Sequence, residues 1–344
     1  MTSPLKKWLL IALLLIITAS ATAVYLYHAR RATSPATAAL APNILGLLPP
    51  HAPAIAYIDA AALRRLQNSP LAAILGFTQS GPQPDREYQD FVRDTGFDYT
   101  RDLDKAAIAF WPAMSSSGDV GETRVVAIAD GRFDQSKIKA HALRTGHVVA
   151  HNARSIYEVP GDPPVSFEFL SATRIALASG LDSENFLPAP ASSSLDPAMQ
   201  ARISRVSGAP LFAVARTENL PPQFYESLRG SPQFQSLAHS VQGLALAGRP
   251  DGDLIHLTLE AECNSMKNAI ELATLLDSLR IFGPIALADP KTRAQMSAAQ
   301  ISLLQALINE TSVAHEDRMV RLSLDLTPAM LGVANSNPSG TPKK

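Results

Sequence analysis

The chain has 344 residues, 46% of them hydrophobic, and its 30 basic and 31 acidic side chains leave a formal net charge of -1. That length and apolar content exclude a disordered polymer and suffice for one large or two ordinary cores, of which two are expected, and the charge balance gives no reason to expect nucleic acid or acidic ligands as partners. A single cysteine, Cys263, excludes an intrachain disulfide and a cysteine-based metal site, and it reads as a small apolar residue near a strand end.

The N-terminus carries the strongest signal. Lys6 and Lys7 precede an uncharged run from Trp8 to Tyr27, "WLLIALLLIITASATAVYLY". About 20 residues at ~1.5 Å each span the ~30 Å hydrocarbon layer of a bilayer. Trp8, Tyr25 and Tyr27 stand near its ends, where aromatic rings favour the interface. Residues 1–31 therefore read as a cytoplasmic stub and membrane anchor, with the bulk of the chain extracytoplasmic. Ala19-Ser20-Ala21 and Ala21-Thr22-Ala23 keep a cleavable signal peptide open as the alternative. Residues 32–43, small and proline-bearing, read as a tether.

Two units follow in this reading, at 44–186 and 205–334, joined by a linker at 187–204 and trailed by a disordered tail at 335–344. In the first, Pro53 leads into the strand "AIAYI", and Asp59 caps a helix over "AAALRRLQ". In the second, Pro210 leads into "LFAVA", with Thr217 as the corresponding cap. Ser69-Pro70 and Ser231-Pro232 then mark helix starts. "KAAIAFW" corresponds to "GLALAG", and "TRVVAIAD" to "DLIHLTLEAE". The helices "QSKIKAHALRT" and "SMKNAIELATLLDSLR" correspond in turn, as do the hairpins "VSFEFLSATRIALAS" and "VAHEDRMVRLSLDL". An amphipathic helix over 296–308 is added in the second unit.

The expected fold class is α+β: a transmembrane helix, then two related units, each a mainly antiparallel sheet with helices on one face. Strand 254–262 supports this, because Ile255, Leu257, Leu259 and Ala261 alternate with His256, Thr258, Glu260 and Glu262, as on a sheet with one wet face.

Candidate chemistry is sparse. His256, Glu260 and Glu262 share a strand face, but positions four apart on a strand lie about 13 Å apart, too far to share one ion. Of the cluster His141, His147 and His151, the latter two, spaced i, i+4, meet the same objection in "GHVVAHNARSIYEV", which reads as strand. Ser136-Lys137-Ile138-Lys139 matches S-x-x-K, but the chain has neither S-D-N nor K-T-G. Asp94, Asp98, Asp102 and Asp104 alternate with Arg93, Arg101 and Lys105 in a pattern that suits mutual ion pairing better than a calcium loop. Gly96-Phe97 plugs that turn onto the core. No catalytic, cofactor-binding or metal residue is assigned, and no cofactor is expected.

With its anchor and tether, the opening "LLPPHAPAIAYIDAAALR", followed by "FDYTRDLDKAAIAF" and "VVAIADGRFD", resembles bacterial envelope proteins classed as domains of unknown function. The resemblance implies repeated α/β units in the envelope and no particular activity. The expected role is binding or scaffolding by a non-enzymatic single-pass protein, with the membrane contacted through residues 8–27 and an envelope protein as possible partner. A tethered hydrolase with a site assembled from distant loops, or a lipid- or peptide-binding module, remains open.

Overall fold

The computed structural model describes residues 44–65, 86–111, 124–151, 154–161, 163–180, 195–219, 232–251, 254–290, 298–327 and 330. The anchor at 8–27, the tether, the tail, Ser69-Pro70, Ser231 and residues 187–194 lie outside them. No helix among the described residues is long and apolar enough to cross a membrane.

Twelve strands form one antiparallel sheet: β1 (Ala54–Ile58), β2 (Leu103–Trp111), β3 (Arg124–Gly131), β4 (His147–His151), β5 (Arg154–Val159), β6 (Val165–Ser171), β7 (Arg174–Ser179), β8 (Leu211–Arg216), β9 (Val241–Asp251), β10 (Leu254–Cys263), β11 (Thr311–Glu316) and β12 (Met319–Leu326). Their order is β11-β12-β10-β9-β8-β1-β2-β3-β7-β6-β5-β4. The sheet is continuous because β1 and β8, the leading strands of the two expected units, pair with each other, Ala56 opposite Ala213. Outward from that pair run β8-β9-β10-β12-β11 on one side and β1-β2-β3-β7-β6 on the other, where β5 and β4 extend the edge.

The helices are α1 (Ala60–Arg64), α2 (Arg86–Thr95), α3 (Tyr99–Asp102), α4 (Gln135–Ala142), α5 (Pro197–Val206), α6 (Pro232–Ser240), α7 (Met266–Ala288) and α8 (Ala298–Glu310). Asp59 caps α1 as expected, its carboxylate accepting from the Ala62 N–H at 2.9 Å. The helix that Thr217 is expected to cap runs into residues 220–231, which lie outside the described ones. Thr217 itself opens a short 3-10 turn, and its hydroxyl donates to the Val241 carbonyl. Residues 298–308 of the expected helix lie in α8, which buries Ile301 and packs Leu307 against Ile255 and Leu257; 296–297 lie outside the described residues. The "GHVVAH" stretch is strand, as its β-branched residues predict, and it turns back into β5 as a hairpin.

Helices cover both faces, which corrects the expectation of one covered face. On the front, α2 and α4 pack over the β1–β7 half, and α6, α7 and α8 over the other. On the back, the 3-10 turn Ile44–Leu47 and α5 close over Ile55, Val126, Ile128, Phe212 and Val214. Residues 197–204 of the expected linker belong to α5, capped by Asp196 with Pro197 at its first turn; it buries Met199, Ile203 and Val206, at steps of four and three, against the sheet. The central strands accordingly read as continuous apolar runs, since both their faces are dry.

The polar side of β10 is the instructive exception. Glu260 is buried, and its carboxylate accepts from Arg205 of α5 at 3.1 Å and from Arg321 of β12 at 2.8 Å. Glu262 accepts from the buried Arg202 at 3.2 Å. The glutamates face a helix carrying the matching cations, so two-faced alternation here marks an internal ion-pair layer instead of a wet face.

Candidate functional site: an apolar cavity on the front face

A cavity of about 370 Å³ lies between the front of β2, β3, β5, β6 and β7 and the helices α2 and α4. It falls within the roughly 300–1,000 Å³ range of small-molecule sites. Its floor is small, with Ala106 and Ala129 on neighbouring strands, and its walls are large: Phe91, Phe97, Phe133, Ile138 and Phe167. This alternation creates the space, because alanines opposite one another across a strand pair leave a gap that the aromatic walls bound without filling.

The Gly96-Phe97 turn shapes one wall. Gly96 has φ +73°, a left-handed conformation that ends α2 and turns Phe97 back onto the sheet. The Phe97 ring stacks on Phe133 at 5.1 Å, and Phe133 meets Phe169 edge-on at 6.1 Å. Asp98 then caps α3, its carboxylate accepting from the Thr100 N–H at 2.9 Å and from the Tyr88 hydroxyl at 3.0 Å. Within this stretch Arg101 pairs with Asp102 and Arg93 with Asp94 as expected, but Asp104 pairs with Arg64 of α1, and Lys105 lies 4.0 Å from Asp59, so the ion pairing also ties the stretch to the residues after β1.

Polar groups reach the lining only at its rim. His141 and Tyr99 line the cavity, and Tyr99 is exposed. His141 Nδ1 lies 3.4 Å from an Asp94 carboxylate oxygen, and Arg144 contacts both groups. The Arg144 hydrogen bond, working against desolvation, holds Asp94 below the usual carboxylate range, so it is ionised at neutral pH. Burial and the nearby Asp98 carboxylate push the Tyr99 phenol up, so it stays a neutral hydroxyl. No serine, threonine or cysteine is among the lining residues.

The remaining candidates are not brought together. His141 lies on α4 at the front, whereas His147 and His151 lie on edge strand β4, His147 pairing with Glu158 at 3.3 Å. His256 pairs with Asp325 at 2.6 Å, away from Glu260 and its arginines. Lys139 does not turn to Ser136; its ammonium lies over the rings of Tyr157 and Phe169, at 5.9 and 5.4 Å. Among the described residues no group of three or more His, Cys, Asp or Glu is arranged to hold a metal ion.

No family model matches the chain, and no curated protein does. The chain is similar in structure to the Treponema protein TP0453. Crystal form III of TP0453 superposes with a TM-score of 0.44 at 10% identity, covering 84% of this chain and 96% of that one. Crystal form IV superposes at 0.45 and 11% identity, covering 86% and 98%.

Proposed function

We propose that the protein is a non-enzymatic binding module for an apolar ligand, an acyl chain or a molecule of similar shape, held in the front cavity. The observation that supports this best is the cavity's character: every lining side chain except His141 and the Tyr99 hydroxyl is apolar. Each methylene moved from water into such a site contributes about 0.8 kcal/mol. The hydrolase alternative has less support, since the His141–Asp94 pair faces no hydroxyl or thiol in the lining.

In this reading residues 8–27 anchor the chain in a bacterial cell membrane as a single pass, with residues 44–334 extracytoplasmic, and an envelope protein can be a further partner. The two halves, 44–186 and 205–334, are diverged copies. What supports this is the strand order, in which β1, β2, β3, β7 and β6 correspond outward from the centre to β8, β9, β10, β12 and β11.

The test is retention. The full chain is transferred into nanodiscs of one synthetic lipid, and bound molecules are extracted and identified by mass spectrometry. The wild type retains a host-derived apolar molecule near one per chain, and Ala142→Phe, which fills the cavity from α4, does not. Equal retention by both, or none by the wild type, contradicts the proposal.

A further inference from the structure

Ten large apolar side chains are exposed among the described residues, and six belong to α7: Met266, Ile270, Leu279, Ile281, Phe282 and Ile285. The inner side of this helix is accounted for, with Ala269, Leu272 and Ala273 packed on Val320 and Cys263. Its outer side repeats apolar residues at 266, 270, 281, 282 and 285, and from Ile281 to Ala288 the helix carries no charge at all. A helix that is apolar both toward the protein and away from it has a second apolar environment to enter. Three further exposed residues, Tyr99, Leu143 and Val148, lie on the same front side of the sheet.

We propose that α7 docks on the surface of a lipid bilayer, its Ile281–Ile285 tip entering the interface as a second membrane contact besides residues 8–27. The inference rests on reading those residues as a span, and chain length carries the choice of occupant. From His28 to Asn43 the chain reaches at most roughly 58 Å when fully extended. Twelve strands at ~4.8 Å spacing make the sheet itself about that wide. The tether therefore confines the folded part to the neighbourhood of the bilayer, where an exposed apolar helix meets lipid before it meets a dilute partner. Docking by the front face also brings the rim of the α2–α4 cavity, with Tyr99, to the lipid side.

The experiment uses the full chain in phosphatidylcholine vesicles, with Cys263→Ala as background and a nitroxide attached through Phe282→Cys or, as a control on the back face, Ala201→Cys. Collision of the label with oxygen and with a water-soluble nickel complex is read, and mass spectrometry records whether residues 8–27 are retained. Docking predicts that the label at 282 gains oxygen access and loses nickel access, while the label at 201 stays accessible to nickel. Should the N-terminal segment prove cleaved and the label at 282 still report lipid, docking stands and the anchor falls. If the chain floats with the vesicles and keeps residues 8–27, but 282 is as open to nickel as 201, docking is overturned and the anchor stands. Dipolar broadening between labels at 282 identifies a second copy as the occupant and likewise overturns it.

Discussion

Gly243 lies directly against the guanidinium of Arg202: the place a Cβ would take at 243 is already held by Nε and Cζ of that arginine. The contact explains why β9 carries a glycine where it passes beneath α5, since the close approach lets the Arg202 side chain lie flat on the sheet and reach Glu262. Gly243→Ala should push Arg202 off Glu262 and lose about 3 kcal/mol, because it unpairs an arginine that is itself buried. Urea unfolding followed by circular dichroism measures this. Arg202→Met on top of Gly243→Ala should recover part of the loss, the clash and the unpaired cation being removed together.

The cavity makes the opposite prediction for Ala129. A leucine there extends into open space between Phe97 and Ile175 instead of into packed atoms. Ala129→Leu is expected to raise stability by about 1 kcal/mol, as cavity filling commonly does, while abolishing ligand retention. Thermal unfolding and the nanodisc extraction, run on the same preparation, check both; loss of stability would mean that the space is closed in solution.

Acid should loosen the α3 corner only below the ordinary carboxylate range. Burial raises the Asp102 carboxyl, but the Arg101 hydrogen bond, the Asp98 N–H and the Arg132 charge outweigh it and hold the group below its ordinary 3.8. With the folded value depressed, the stabilisation is fully present above the unfolded value and is lost as pH falls through the folded one. Unfolding midpoints of the wild type should therefore drop as pH falls below about 4, and Asp102→Asn, weaker at pH 7, should show a flatter profile over that range.

Cys263 provides an internal reporter. It is fully buried at the end of β10, and burial pushes its thiol up, so little thiolate exists to react. A thiol reagent should leave the native chain unlabelled and modify it at the rate of unfolding. Fast native labelling would show that α7 detaches from Ala261 and Val320.

Much of the fold could be read from local chemistry. Alternation located β10, the β-branched run after Gly146 located β4, and Asp59 and Gly96-Phe97 acted as their residue types require. Two helices were legible but masked by charge. In α2, Tyr88, Phe91, Val92 and Thr95 recur at helical steps among charged neighbours, and in α5 Asp196-Pro197 precedes Met199, Ile203 and Val206. The ion-pair layer was not legible, since Glu260 and Glu262 look the same facing water or facing Arg202 and Arg205, which lie about sixty positions away. The cavity could not be foreseen either. Its lining comes from α2, α3, α4 and five strands spread over residues 91–177, and the gap exists only because Ala106 and Ala129 happen to be neighbours.

The most direct test of the account is to find where an apolar ligand sits. A fatty acid carrying a diazirine in its chain is added to the full-length protein in nanodiscs, irradiated, and the modified residues are mapped by mass spectrometry. The account predicts modification concentrated on the cavity walls, at Phe97, Phe133, Ile138 and Ile175, and competed away by unlabelled fatty acid. Modification confined to the exposed tip of α7, or spread without competition over the surface, would contradict it.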